Sequence, residues 1–334
     1  MKTITILVVA AASLALVFMT ASPVNKDDAA YEAFIGEYGR NFASTEEYNF
    51  RRDIFLQSLK KVEEHNAKGL SWTYAINKFS DWTEEEYQRL LGLKKMRNSN
   101  SNLPIIQLPK VDKVKGIDWR TKEGFVGPVL DQGHCGSCWA FSAAQTLAGS
   151  YFKAYGEVVD VSRSHAVDCD FFSHGCNGGL QENAFAHWMK HPFINEADYP
   201  YEAKDRACQE ESISSNNRLV KSAFRVDVGD DLLYDALVHM PVSISIRAEN
   251  DDFRHYGGGV ISGDGCGYEI DHAVLLVGFE EDTNSWIVKN SWGAGWGEDG
   301  YVRIAKTHTR HGVCGINQQN SIPVFEDEWE PFNE

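Results

Sequence analysis

The sequence predicts an α+β fold in two lobes, helical first and strand-rich second, preceded by a separate helical segment. Three observations predict it. Apolar residues recur at helical spacing in the first part of the chain. Glycine becomes frequent, and all seven cysteines appear, only after residue 110. Runs of β-branched and aromatic residues dominate the last hundred residues. A chain of 334 residues, 43% hydrophobic and 24% charged, can bury a sizeable core, which excludes disorder as its global state.

The start, MKTITILVVAAASLALVFMTASPV, carries Lys2, an apolar stretch from Ile4 to Met19, and small residues at Ala21 and Ser22. It is expected to be a signal peptide over 1–21, since the run is short for a spanning helix. Residues 27–66 predict two helices. Tyr31, Phe34 and Tyr38 mark the first; Phe50, Ile54, Phe55, Leu59 and Val62 form the stripe of the second. Ser44 and Thr45 before Glu46 and Glu47 start the second helix, and Asn66 and Gly69 end it. A short strand is expected in 72–81 and a short helix in TEEEYQRLL. Residues 97–110, polar and Pro-containing without periodicity, predict an exposed linker.

Beyond it, Cys138–Phe152 predicts a helix with Phe141, Ala144, Leu147, Ala148 and Tyr151 on one face. Shorter helices are expected at 180–190 and 230–239. Strands follow at Val242–Ile246, Ala273–Val277, Trp286–Lys289 and Tyr301–Ile304. The last ten residues, from Phe325, are expected to be a solvated acidic end.

Charge narrows the partners. Lys and Arg number 32 against 48 Asp and Glu, and the whole excess of acid lies beyond residue 110. Such a surface repels nucleic acid and anionic lipid and suits an acidic lumen. Export would place the cysteines in an oxidising compartment, and an odd count leaves at least one thiol unpaired if the others bridge within the chain.

The segment Gln132-Gly-His-Cys-Gly-Ser-Cys138-Trp carries the strongest chemical signal. Cys138 stands where a loop containing Gly133 and Gly136 enters the predicted helix. A helix N-terminus favours a thiolate, and an imidazolium favours it more. Two other chemistries compete for Cys135-x-x-Cys138: a thiol–disulfide oxidoreductase, which lacks the expected βαβ context, and a zinc site, which lacks a second tight ligand pair.

Cys135-Gly-Ser-Cys138-Trp139 resembles the papain and cathepsin L-like cysteine endopeptidases. So do Asp271-His272-Ala-Val and Lys289-Asn290-Ser-Trp292-Gly. The likeness runs from about Ile117 to Pro323, with a weaker one over most of 28–110. It implies the papain-like two-lobed fold, with a helical left lobe and a β-barrel-like right lobe. It also implies a helical inhibitory propeptide over 22–110 and a mature peptidase over 111–334. The roles implied are Cys138 as nucleophile, His272 as its ion-pair partner and proton donor, Asn290 as the residue that orients the ring, and Gln132 in the oxyanion hole. Trp292 would shield the His–Asn contact.

The resemblance pairs Cys135 with Cys176, Cys169 with Cys208, and Cys266 with Cys314, out of fifteen pairings open to sequence alone. Gly178 and Gly179 would let an extended peptide approach. Leu180, Ser245, Ile270, Ala273 and Gln319 would line the pocket for the second residue before the cut. The uncharged polar Gln319 suggests tolerance of polar or mid-sized side chains there.

Glu47, Arg51, Phe55 and Asn66 match the family's propeptide motif, with Ser58 for Asn and Val62 for Ile. Asn77, Phe79 and Asp81 match a second element, with Ala75 for Gly. Val161-Ser-Arg-Ser-His165 departs from the family's usual Leu-Ser-Glu-Gln stretch, which predicts altered packing there. The expected partners are protein and peptide substrates, the chain's own propeptide and protein inhibitors of the cystatin type. The expected state is a monomer without cofactor, metal or membrane anchor, in the secretory pathway, and then in a lysosome, another acidic vesicle or outside the cell.

Overall fold

A computed structural model describes residues 26–93, 103–109, 116–263 and 265–326. The expected signal segment, half of the expected linker (97–102 and 110), the 110/111 boundary and the last eight residues lie outside the described residues. No described helix is long and apolar enough to cross a membrane.

The amino-terminal segment folds as predicted around an aromatic centre. Helix α1 (Lys26–Tyr38) crosses α2 (Thr45–Asn66), and Tyr31, Phe34 and Phe55 pack between them. The Ser44 hydroxyl accepts the Glu47 N–H and caps α2. The expected strand in 72–81 shrinks to β1 (Trp72–Tyr74). The reason is local: the Asn77 carboxamide accepts the Phe79 N–H, and the Ser80 hydroxyl accepts the Asn77 N–H, so the chain turns. Helix α3 (Glu84–Gln88) follows with a Thr83–Glu86 capping box. Arg51 makes a bidentate pair with Glu86 at 2.5 and 2.6 Å, tying α2 to α3.

The first lobe is built on α4 (Cys138–Tyr155), which runs slightly beyond its predicted end and stops at Gly156 in the left-handed conformation. It packs against α5 (Arg163–Cys169) and α6 (Gln181–Trp188). The second lobe is a sheet whose strands run in the order β1-β5-β8-β7-β6-β4-β9-β3, with β2 (Ile117–Asp118) paired to β6. The ranges are β3 Ser222–Val226, β4 Val242–Ile246, β5 Tyr256–Ile261, β6 His272–Glu280, β7 Ser285–Lys289, β8 Tyr301–Ala305 and β9 Asn320–Val324. Helices α7 (Asp230–His239) and α8 (Asp251–Arg254) complete it.

Two expectations are corrected. Residues 103–109 are not a free linker: Pro104 O accepts the Arg225 N–H and Ile106 N–H donates to Arg225 O, each at 2.9 Å, covering the edge strand β3. Nor is the whole tail solvated, because Phe325 is buried edge-on against Tyr151.

Candidate active site

Cys138 is the first residue of α4, completely buried, and the one free cysteine among the described residues. Cys135 is bonded to Cys176, Cys169 to Cys208 and Cys266 to Cys314. A Cys135–Cys138 redox couple and a zinc site on that pair are thereby excluded, since Cys135 has no thiol to offer.

His272 opens β6, the strand packed against α4. Its Nε2–H donates to Asn290 Oδ1 at 2.8 Å, while Nδ1 is buried without a hydrogen-bond partner. Trp292 stacks on the ring with centroids 4.7 Å apart, and Phe253 meets it edge-on. The Ala273 N–H, one residue along from His272, acts on the Cys138 sulfur, which places the thiol against the start of β6. Asp271 is a neighbour, as expected: its carboxylate accepts the Ala248 and Glu249 N–H groups, not the imidazole.

Gln132 is held by a full hydrogen-bond set. Its Oε1 accepts from Ser291 Oγ at 2.7 Å and Trp292 Nε1 at 3.2 Å; its Nε2 donates to Cys135 O and to Leu90 O at 3.0 Å. Leu90 belongs to the amino-terminal segment, so a peptide carbonyl from that segment sits on the amide of Gln132. The same segment continues along the cleft. Gly179 N–H donates to Gly92 O at 2.8 Å, and Leu93 N–H donates to Asp271 O at 3.0 Å. Leu93 packs in one buried cluster with Cys138, Leu180, Ile270 and Ala273. A Cβ on Gly179 would lie 2.4 Å from Ser173 Oγ and 2.7 Å from the Trp139 ring, so this wall of the cleft has room for glycine alone. Gly178, next to it, has φ +110°.

Covered in this way, the pair is held neutral. Burial pushes the Cys138 thiol up to about 11 and the His272 imidazole down to about 4.

Sequence reasoning missed two residues of the pocket region. The Gln181 amide spans to Ser245 Oγ at 3.0 Å and to Ile244 O. Both carboxylate oxygens of buried Glu182 accept from Gln319 Nε2, at 3.1 and 3.0 Å, and burial raises the Glu182 pKa. Behind the expected uncharged Gln319 stands an acid. The pair Gln181-Glu182 directly follows Leu180 and carried a readable signal: two polar residues opening a helix otherwise packed in the core.

Comparison with known proteins gives the family. Residues 114–324 match the model described as papain family cysteine protease, and 31–87 match the cathepsin propeptide inhibitor domain. The chain is 36% identical to cysteine protease XCP2 of Arabidopsis thaliana, over 88% of this chain and 85% of that protein. It is 32% identical to papaya proteinase 4 of Carica papaya, over 88% and 86%. Among solved structures, the recombinant stem bromelain precursor aligns with a TM-score of 0.83 at 31% identity, covering 91% of this chain and all of that one. Digestive procathepsin L 3 of Tenebrio molitor larval midgut aligns at 0.79 and 29%, covering 90% and 99%. With its free cysteine at the start of a helix, its His–Asn pair and its cleft filled by its own amino-terminal segment, this chain belongs to the papain family of cysteine proteases and is a proenzyme of that family.

Proposed function

We propose that Cys138, His272, Asn290 and Gln132 carry the peptidase chemistry. The His272 Nε2–Asn290 contact supports this best, because it leaves Nδ1 without a hydrogen-bond partner and so able to take a proton. Once the propeptide leaves, water and the α4 N-terminus stabilise the thiolate, and His272 holds the proton. The sulfur attacks the peptide carbonyl carbon, and the oxyanion is met by the Gln132 amide and the Cys138 N–H. The C–N bond breaks as His272 gives its proton to the leaving amine. Water, deprotonated by His272, then releases the acid from the thioester. Asn290 holds the ring, and Trp292 keeps water from that bond.

Hydrolysis of a fluorogenic dipeptide amide by acid-matured enzyme tests the assignment. Cys138→Ala is expected to abolish it, a loss on the order of 10^6-fold. Gln132→Ala is expected to lower kcat by roughly 10²–10³-fold with little change in KM. Undiminished hydrolysis by Cys138→Ala refutes the assignment.

The substrate pocket in this reading uses Gly178, Gly179, Leu180, Ser245, Ile270, Ala273 and Gln319, and accepts polar as well as apolar side chains. The Gln181–Ser245 and Gln319–Glu182 pairs support that preference. A peptide-library profile confined to Leu and Phe at this position refutes it. Maturation near residue 110, action as a monomer in an acidic or extracellular space, and capture by cystatin-type inhibitors belong to the same reading. Three disulfides and the acidic surface fit an oxidising, acidic compartment.

A further inference from the structure

Away from the cleft, three histidines converge on one carboxylate. His165 lies on α5, in the stretch where the sequence departs from the family's usual residues. His187 is in the last turn of α6, and His191 follows one turn later, its N–H donating to His187 O at 2.9 Å. Glu210 comes from the short 3-10 turn Glu210–Ser212, two residues after disulfide-bonded Cys208. Glu210 Oε2 is 3.1 Å from His165 Nε2 and 3.4 Å from His187 Nε2, and those two nitrogens are 3.3 Å apart. His191 Nδ1 lies 3.2 Å from the other oxygen, Oε1, with its ring stacked on His187.

These separations have a specific meaning. Tetrahedral zinc with metal–ligand bonds of about 2.05 Å sets its ligand atoms roughly 3.3 Å apart. The Glu210–His165–His187 triangle, with edges of 3.1 to 3.4 Å, is one face of that tetrahedron. His191 stands at the outer side, half-exposed, where a small side-chain rotation or a water supplies the fourth corner. Imidazole nitrogens with one carboxylate suit zinc-class ions rather than magnesium or calcium. We propose that Glu210, His165 and His187, with His191 as the outer donor, bind one divalent transition-metal cation of the zinc class, pinning the 210–212 turn to α5 and α6.

One contact opposes the site and sharpens the test. Trp188 Nε1–H donates to His165 Nδ1 at 3.3 Å, so in the metal-free protein the His165 proton sits on Nε2 and points at Glu210. A cation displaces that proton, and the neutral ring then carries it on Nδ1, facing the indole N–H. Removing the indole N–H therefore strengthens binding to a metal site, whereas in a plain hydrogen-bonded cluster it changes nothing of the kind.

The test uses full-length proenzyme carrying Cys138→Ala, which removes the free thiol as a competing ligand and prevents self-cleavage. After treatment with a chelator it is dialysed against Zn²⁺ or Co²⁺. The expected result is one equivalent bound, with the intense visible absorption of tetrahedral Co²⁺. Glu210→Gln and His187→Gln are each expected to weaken binding by at least ~10-fold, and Trp188→Phe to tighten it. Zn²⁺ is expected to raise the Tm of the parent protein but not of Glu210→Gln, whose part-exposed carboxylate can change without disturbing the fold. Absence of saturable binding, or stoichiometric binding unchanged by both Gln substitutions, overturns the proposal.

Discussion

The propeptide holds the enzyme in two physically different ways. At the docking face, side chains dominate. Phe79 is fully buried among Trp82, Tyr87 and Trp292, and Trp82 stacks on His134. Arg254 of the mature part donates to Phe79 O and Trp82 O and pairs with Glu84. In the cleft, over Leu90–Leu93, backbone hydrogen bonds line the chain up beside the buried Leu90 and Leu93 side chains: Leu90 O on Gln132, Gly92 O on Gly179, Leu93 N–H on Asp271 O. Backbone contacts are what any extended peptide makes, so the cleft reads the propeptide as it would a substrate. The docking face supplies what a substrate lacks. Affinity and occlusion are thus divided between two regions.

Close approach ties both regions to glycine. Strand β1 pairs with β5, where a Cβ on Gly259 would lie 2.2 Å from Ser71 O. In the cleft, a Cβ on Gly92 would lie 1.8 Å from Gly136 O.

This division can be broken by experiment. The largest effect is expected at the docking face. Phe79→Ala removes a buried aromatic at a cost of about 3–5 kcal/mol, so the proenzyme should show at least ~100-fold higher activity towards a small peptide substrate at pH 7. Next is the cleft. Gly92→Ala forces the strand off Gly136 at a cost of about 1–3 kcal/mol, raising the same leak activity by roughly tenfold or more. Should Gly92→Ala leak more than Phe79→Ala, the cleft rather than the docking face holds the propeptide.

The smallest effect concerns pH. His255 is buried beside Tyr74, its pKa pushed down to about 3 by burial and by Arg254, with Lys61 adding to the shift and Asp251 opposing it. Its neutral form belongs to the closed state, so the open state binds more protons below the usual 6.5. The hold is complete above that value and weakens as pH falls towards 3. Glu86, held down to about 2 mainly by Arg51, ties α2 to α3 within the propeptide, so the propeptide's own fold loosens from 4.5 downwards. Processing followed by electrophoresis across pH 7 to 3 is expected to accelerate on acidification. His255→Gln is expected to move the midpoint to lower pH by less than about one unit. An unchanged midpoint removes His255 from the trigger.

How far the sequence was legible varies with the kind of force involved. Helices α1, α2, α4 and α7 were readable because their apolar stripes are local, and α2 adds the Ser44 cap. Strands β3, β5 and β9 were not. Strand β5 reads Tyr-Gly-Gly-Gly-Val-Ile and β9 contains Pro323, patterns that disfavour a strand until partners supply the hydrogen bonds. Helix α5 was hidden in the Ser-Arg-Ser-His stretch, and its Ser162 cap becomes visible only once the His165 N–H donates to it.

By itself the sequence pointed to the chemistry: an odd cysteine count that leaves at least one thiol unpaired, Cys138 at a predicted helix start, and a histidine and an asparagine far downstream in surroundings that resemble the family's. Only the tertiary structure decided which groups share a proton, which acid stands behind Gln319, and what fills the cleft. Those depend on distances between segments that the chain keeps apart, 18 residues for His272 and Asn290, 42 for Leu90 and Gln132 and 137 for Glu182 and Gln319, and such distances are set by packing rather than by local pattern.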